Sequence, residues 1–461
     1  MLRSKFPDHM FEKLPGEPFL YGDYPDVSAG VGYFRTLMGS QSWKSRREAA
    51  AWRFYRSLVG EQIDPSREGR YYGLDDLFAW YLFLGEALTD HPQNYEVVYG
   101  SRVVPVFAAI GRNLNLIPTI EGFEERALRL IGSERSQPNG GLFEMLVALA
   151  YARDGANVSF KPEERGLAKT YDLDVENRGR KWAVECKRLD VGDYVESERL
   201  RRRQLWAPAS HFIVATARSV YANVEFHVEL SDVPDDYLLN HVRSFLFSGQ
   251  ENALWQDDFA NGIIGELDLG PIKNALEEGY ILYPGPVYNK HLTGSYRRYD
   301  NLNISQRVKF AKNPHFIDEI DQAIVLRSKS LSEGAVEKKA RDIKRKLVQA
   351  NKQLPDDREG VIHIGIEALG EDAIEARRYQ KIMDTITNFD PKGKPLSFVY
   401  WHYFSPETSP DEVWAIDETL QWRGLRGDNR PLSLSSLIIP DEAKIREGMH
   451  WDGIPNETYK D

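Results

Sequence analysis

In the first third of the chain, apolar positions recur at mixed three- and four-residue spacing, the repeat of a helix that turns one face to a core. Ala51, Phe54, Tyr55, Leu58 and Val59 make one such stripe, and Leu74, Leu77, Phe78, Tyr81 and Leu82 make another. Residues 1–138 therefore read as a mainly helical N-terminal domain. The polar stretch 133–141 holds Pro138 and two glycines and reads as a linker ending in a helix start, with Asn139 as the expected N-cap.

Beyond Gly141 the pattern changes. The spacing predicts a helix to about Asp154, a short strand at 158–160, and two further strands, 171–175 and 182–188, joined by the tight turn Asn177-Arg178-Gly179-Arg180. Residues 191–335 mix helices, Pro- and Gly-rich loops and short apolar runs such as 211–215, which reads as a strand. A helix then starts at Val336, with Ala340, Ile343, Leu347, Ala350 and Leu354 on its apolar side. Strands at 361–366 and 396–401, with a helix between them, complete an α/β order.

The predicted hairpin carries the candidate chemistry. A two-residue loop at Arg178-Gly179 pairs Asn177 with Arg180, and counting outwards sets Asp172 opposite Glu185. With side chains alternating along each strand, Tyr171, Leu173, Val175, Trp182, Val184 and Cys186 share one face. Asp172, Asp174, Ala183, Glu185 and Lys187 share the other. Two carboxylates about 5 Å apart repel by roughly 3 kcal/mol at an effective dielectric of ~20. A cation reverses that sign, and an all-oxygen donor set suits Mg²⁺ or Mn²⁺. The plainer reading is a solvated sheet face, and the opposed carboxylates count against it.

These residues resemble the PD-(D/E)xK nucleases, whose pattern is an acidic residue on an early helix, an Asp on a strand, and Glu-x-Lys on the next strand. Glu144, Tyr171-Asp172 and Glu185-Cys186-Lys187 match it, with Tyr171 where the family name has Pro. The resemblance covers 139–190 and resumes at 336–425, in a unit that runs with a C-terminal tail over 336–461. It implies an α/β fold with a restriction-endonuclease-like nuclease core, an N-terminal helical domain (1–138) and a mixed α+β insertion (191–335). By the same resemblance Asp172 and Glu185 would hold Mg²⁺ (or Mn²⁺), Glu144 would support the metal, and Lys187 would orient the attacking water. Asp174, on the same face, is the alternative ligand to Asp172.

The resemblance further implies an endonuclease that hydrolyses phosphodiester bonds, with DNA the expected partner and restriction or anti-phage defence the expected setting. A homodimer or a partner subunit of a defence system fits that setting. The rival reading is a non-catalytic nucleic-acid-binding or scaffold protein that keeps the fold. A net charge of -11 excludes a protein that coats nucleic acid along its whole surface, but not one with a local basic track. Lys338, Lys339, Lys344 and Arg345 on the predicted helix from Val336 are candidates for such a track, or else a solvated face, and the same choice applies to Arg199, Arg201, Arg202 and Arg203. Gln353 stands where some members of that family place a site-side Gln, yet a surface Gln is the commoner reading, and His363 and His402 read as satisfied core histidines. A single cysteine, Cys186, excludes disulfides within the chain and multi-cysteine zinc sites. The apolar runs are too short to cross a bilayer, and no secretory signal is legible at the N-terminus, so a cytoplasmic protein is expected.

Overall fold

The computed structural model describes residues 8–12, 22–58, 74–162, 170–189, 192–279, 281–297, 301–311, 313, 315–330, 332–427, 429–433, 436–440, 442–443 and 448–452. Helices α1 (Pro25–Met38), α2 (Ser40–Leu58), α3 (Leu77–Asp90), α4 (Val97–Arg112) and α5 (Phe123–Ile131) lead into α6 (Asn139–Arg153). Both predicted helical stripes fall in this part, with Ala51, Phe54, Leu58, Phe78, Tyr81 and Leu82 buried in its core. Val59 and the Leu74 side chain lie outside the described residues. The stretch 133–141 is a packed turn, not a linker: Phe78 N donates to Arg135 O (2.9 Å), and Glu134 takes hydrogen bonds from Arg126 and Arg129. Asn139 is already helical, after Pro138 at the cap, and its Oδ1 accepts from Tyr81 (3.0 Å).

Six strands form the first sheet: β1 (Asn157–Phe160), β2 (Leu173–Asn177), β3 (Arg180–Leu189), β9 (Glu359–Glu367), β10 (Leu396–Glu407) and β11 (Ala415–Gly424), side by side in that order. Between β3 and β9 the chain builds α7 (Asp193–Val214), β4 (Val220–Phe226), α8 (Tyr237–Ser248), β5 (Asn252–Gln256), β6 (Ala260–Glu266), α9 (Gly270–Glu278), α10 (Pro286–Thr293), β7 (Leu302–Phe310), β8 (Ile317–Ser330), α11 (Glu333–Lys339) and α12 (Lys344–Gln353). Helix α13 (Asp372–Thr387) connects β9 to β10. The protein is thus mixed α/β. Its second sheet, in the order β5-β6-β4-β8-β7, lies wholly within residues 252–330 and 220–226. The run 211–215, read above as a strand, is mostly the end of α7: a short apolar run does not by itself distinguish a strand from a buried helix turn. The predicted helix from Val336 is broken into α11 and α12 at Ala340, which leaves helical geometry (ψ 66°). Ile343, Leu347, Ala350 and Leu354 nevertheless all reach the core.

The β2–β3 hairpin has the anticipated register, Asn177 on Arg180 through Leu173 on Val184. Arg178 and Gly179 both have positive φ (51° and 73°), the requirement of a two-residue hairpin turn whose twist suits its strands. Strand β3 is parallel to β9, and β9 to β10, while β10 and β11 are antiparallel. Their near-continuous apolar sequences follow from burial on both faces. Trp182, Val184, Cys186, Val361, Phe398 and Tyr400 pack towards the N-terminal helices, whereas Ala183, Ile362, Ile364, Val399 and Trp401 pack with Ile343, Leu347 and Ala350 from α12 and its approach and with Ile382 of α13. Tyr171 belongs to this second cluster, not to the face of Leu173, because the strand geometry begins only at Leu173 and the chain turns at Asp172. His363 and His402 are buried, and His363 is satisfied on both ring nitrogens, by Tyr151 Oη at Nε2 and by His402 Nε2 at Nδ1, both 2.9 Å. His402 Nδ1 has no hydrogen-bond partner among the described residues and lies 3.8 Å from Glu418 Oε1, so the satisfied reading holds for His363 and not for His402. Among the described residues no helix is long and apolar enough to cross a membrane.

Helices α1 and α4 cross at two glycines. A Cβ on Gly111 would lie 1.8 Å from Asp26 O, and one on Gly30 would lie 2.1 Å from Phe107 O. Gly111→Ala is expected to force the helices apart and cost about 1–3 kcal/mol or more. Gly32→Ala, on the same helix with open space around it, should instead stabilise by up to about 1 kcal/mol. Thermal melts of the two variants check the contrast, and equal destabilisation would contradict the packing.

Candidate active site

The hairpin, α6 and α12 bring Asp172, Glu185, Lys187, Glu144 and Gln353 to one place. A cavity of about 100 Å³, room for a few waters, is lined by Asp172, Lys187, Glu144, Gln353, Arg126, Arg129, Lys161 and Tyr171 among others. Asp172 stands one residue before β2. Its backbone N–H still donates to Val184 O (3.0 Å), and its Oδ2 accepts from the Cys186 N–H (2.7 Å), so it is fixed by main chain on both sides. Glu185 is 0% exposed, with Oε1 bonded to the Lys187 ammonium and Oε2 buried without a partner. Such an unpaired buried oxygen is costly, and it calls for a proton or a cation.

The electrostatics follow from this crowding. Burial, together with the neighbouring Glu144 and Glu185 charges, pushes the Asp172 carboxyl well above its ordinary range. Burial likewise raises Glu185 to about 7, against the opposing pull of Lys187. Burial alone would depress the Lys187 ammonium, yet Glu185, and after it Asp172, hold it above its usual value. Lys187 is therefore held in its charged form, and the carboxyl pair is biased towards holding a proton.

Each residue singled out in the sequence has a definite place. Glu144, on the first turns of α6, lines the cavity, but its carboxylate is engaged by Arg126 Nε (2.5 Å), whose NH1 also holds Glu134 (2.7 Å). Arg126 reaches it by lying over Gly141, where any Cβ would collide with the guanidinium (2.3 Å). Among the described residues no group of three or more His, Cys, Asp or Glu side chains is gathered as a metal would need. Asp174 is not with the pair: it accepts from Arg358 (2.6 Å) and from the Tyr171 hydroxyl (2.8 Å) and lies 3.5 Å from Lys161. Cys186 is buried on the opposite face, its thiol raised well above the ordinary range by burial.

Gln353 corrects the surface reading given above. Its Oε1 accepts from Lys187 Nζ (2.8 Å) and its Nε2 donates to Thr170 O (2.9 Å), so the last residue of α12 clamps the ammonium from the side opposite Glu185. No local signal marks it, because its role depends on where α12 docks against β3. The proposed basic track is not assembled as expected. Lys338 is paired with Glu229 (2.6 Å) and Lys339 with the buried Glu198 (2.9 Å), both tying α11 to the elements around the second sheet. Lys344 and Arg345 are exposed at the start of α12, about 13 Å along the helix from Gln353. Arg201 and Arg202 are likewise engaged, by Asp235 and Glu198.

No protein-family model matches the chain, and neither the curated proteins nor the solved structures compared with it include a match.

Because both carboxyl groups titrate above their ordinary range, metal-free folded protein binds protons that the unfolded chain releases. The pair's own contribution to stability should therefore increase as pH falls from about 7 toward the ordinary carboxylate range, and decrease as pH rises. Asp172→Asn removes the like charge while an amide oxygen can still accept from Cys186 N–H. In chelator, Asp172→Asn is expected to melt no lower than wild type, with the larger advantage at about pH 8 and a smaller one near pH 5.5. A lower melting temperature at both pH values would show that the Asp172 carboxylate is a net structural asset.

Proposed function

We propose that the protein is a metal-dependent nuclease of the PD-(D/E)xK type that hydrolyses phosphodiester bonds, with DNA as substrate. The observation that carries this reading is the meeting of the buried Asp172 carboxyl and a charged lysine at one cavity, with the fully buried Glu185 bonded to that lysine and its Oε2 left unpartnered. A protein that needed only stability would gain by replacing such a pair with apolar residues. The order of helix, strand and Glu-x-Lys hairpin around that cavity adds support.

The donor chemistry suits Mg²⁺ or Mn²⁺, hard oxygens with an orphaned acceptor among them, although the three carboxylates are not gathered as a metal would need. Asp172 and Glu185 would hold the ion, and Glu144 would support it from the position Arg126 gives it. When bound, the ion would offset the carboxylate repulsion and the negative charge that builds on the phosphate in hydrolysis. The chain's own residues do the rest. Lys187, kept protonated by Glu185 and held by Gln353, donates hydrogen bonds that orient the attacking water and stabilise negative charge at a phosphoryl oxygen. Gln353 positions Lys187, and the Cys186 N–H positions Asp172. The new bond joins the water oxygen to phosphorus as the P–O ester bond breaks, and the leaving oxygen takes up a proton.

A setting in restriction or anti-phage defence, with a second copy or a partner subunit, is part of the same proposal and rests on the resemblance alone. The second reading is a binding or scaffold protein of the same fold, favoured by the engagement of Glu144 with Arg126.

Purified protein incubated with linear, circular and single-stranded DNA and with RNA is expected to cut when Mg²⁺ or Mn²⁺ is present and not in chelator. Lys187→Ala should abolish cleavage at temperatures where it is still folded, with a lower melting temperature because the buried Glu185 loses its partner, and Gln353→Ala should reduce the rate constant more than the affinity. Mg²⁺ should raise the melting temperature of wild type by mass action and leave Asp172→Asn nearly unmoved. Absence of cleavage on every substrate, together with equal responses of both proteins to Mg²⁺, would return the site to the scaffold reading.

A further inference from the structure

Next to the carboxyl pair the structure holds a second charged group that the hydrolytic chemistry does not use. Lys161, just after β1, and Arg358, just before β9, converge on Asp174 of β2: Arg358 NH1 lies 2.6 Å from Asp174 Oδ1 and Lys161 Nζ 3.5 Å from Oδ2. Tyr171 supports all three. Its hydroxyl donates to Asp174, and its buried ring lies beneath both cations, 5.4 Å from Lys161 Nζ and 5.9 Å from the Arg358 guanidinium carbon. Asp357 stands 3.6 Å from Arg358 Nε as the second carboxylate of the cluster, so two cations and two carboxylates meet beside the cavity that Lys161 lines.

We infer, resting on the nuclease reading above, that Lys161 and Arg358 form a phosphate-binding pair that takes the substrate backbone at the phosphate next to the one cut. Three features support it. The first is proximity: Asp174, on which both cations converge, is two residues beyond Asp172, no more than about 7 Å away by the reach of the chain. The second is continuity, since Lys161 and Tyr171 both line the cavity that holds Asp172 and Lys187, and Lys161 N–H donates to Asp172 O (2.8 Å). The third is availability. The side chains of Lys161 and Arg358 are 37% and 33% exposed, so both can exchange a partly solvated carboxylate for a phosphate. A guanidinium binds phosphate through two parallel N–H donors, and an ammonium adds a point charge beside it. Asp174 then serves as a resident stand-in for the phosphate. It keeps the two cations together when the site is empty, and it weakens the grip on any backbone that does not reach the cavity.

The test reads binding apart from cleavage. Anisotropy of fluorescently labelled single-stranded and duplex DNA is measured in chelator over a salt series for wild type, for Lys161→Gln with Arg358→Gln, and for Asp174→Asn. The double variant is expected to lose about tenfold in affinity at low salt and to show a salt slope smaller by about one per lost phosphate contact, equally for every sequence. Asp174→Asn removes the competing carboxylate and should bind more tightly than wild type. A purely structural ion-pair cluster predicts the opposite sign for Asp174→Asn and no change in the double variant's salt slope; either result overturns the inference. If wild type cuts DNA and the variants bind unchanged, this assignment alone fails. If wild type neither binds nor cuts nucleic acid, the nuclease reading fails and the assignment with it.

Discussion

Two carboxyl groups held together where water barely reaches are expensive, and much of the surrounding architecture serves to hold Asp172 and Glu185 in that position. Relieved of the constraint, one of them would turn to solvent. Glu185 has no such freedom, because its strand runs inside the sheet between β2 and β9 with both faces covered. Asp172 has little more, since main-chain hydrogen bonds to Val184 and Cys186 fix it at the mouth of the hairpin. The cost is met locally by proton retention and by the Lys187 ammonium, and on the proposed reading by a divalent cation in the active state.

That arrangement explains why the supporting shell draws on distant parts of the sequence. Gln353 arrives from α12, more than a hundred and fifty residues after Lys187, and brings a backbone carbonyl, Thr170 O, into the same network. Arg126 arrives from α5 and fixes Glu144 at the rim through a gap that only a glycine at position 141 leaves open. The elements between β3 and β9 are fastened to this frame by their own ion pairs, Lys339 to Glu198 and Lys338 to Glu229. Those lysines act as fasteners between segments.

Charge is distributed on the same principle. An acidic chain repels a polyanion at long range, so any attraction has to be local and placed where the chemistry is. Lys187, Lys161, Arg358, Arg126 and Arg129 all lie in or beside one cavity, each restrained by a carboxylate. The basic surface that stands out in the sequence, near 338–352, is largely turned to other work.

Several features depend on local pattern and were legible in the sequence: the hairpin and its register, because a two-residue turn with Gly179 sets the pairing of everything before and after it; the face shared by Asp174, Glu185 and Lys187, because side chains alternate along a strand; and the burial of β9 and β10, because their apolar runs are continuous. Tertiary structure decided the features that depend on which element docks where. Asp174, by sequence the alternative to Asp172, is taken by Arg358 and Lys161. Gln353, an unremarkable polar residue at a helix end, becomes the clamp on Lys187. The run 211–215 became helix once α7 packed on the second sheet, and the helix from Val336 broke at Ala340. Side-chain direction within one strand or turn follows from covalent geometry over a few residues, whereas the partner a side chain meets follows from packing between segments far apart in the chain.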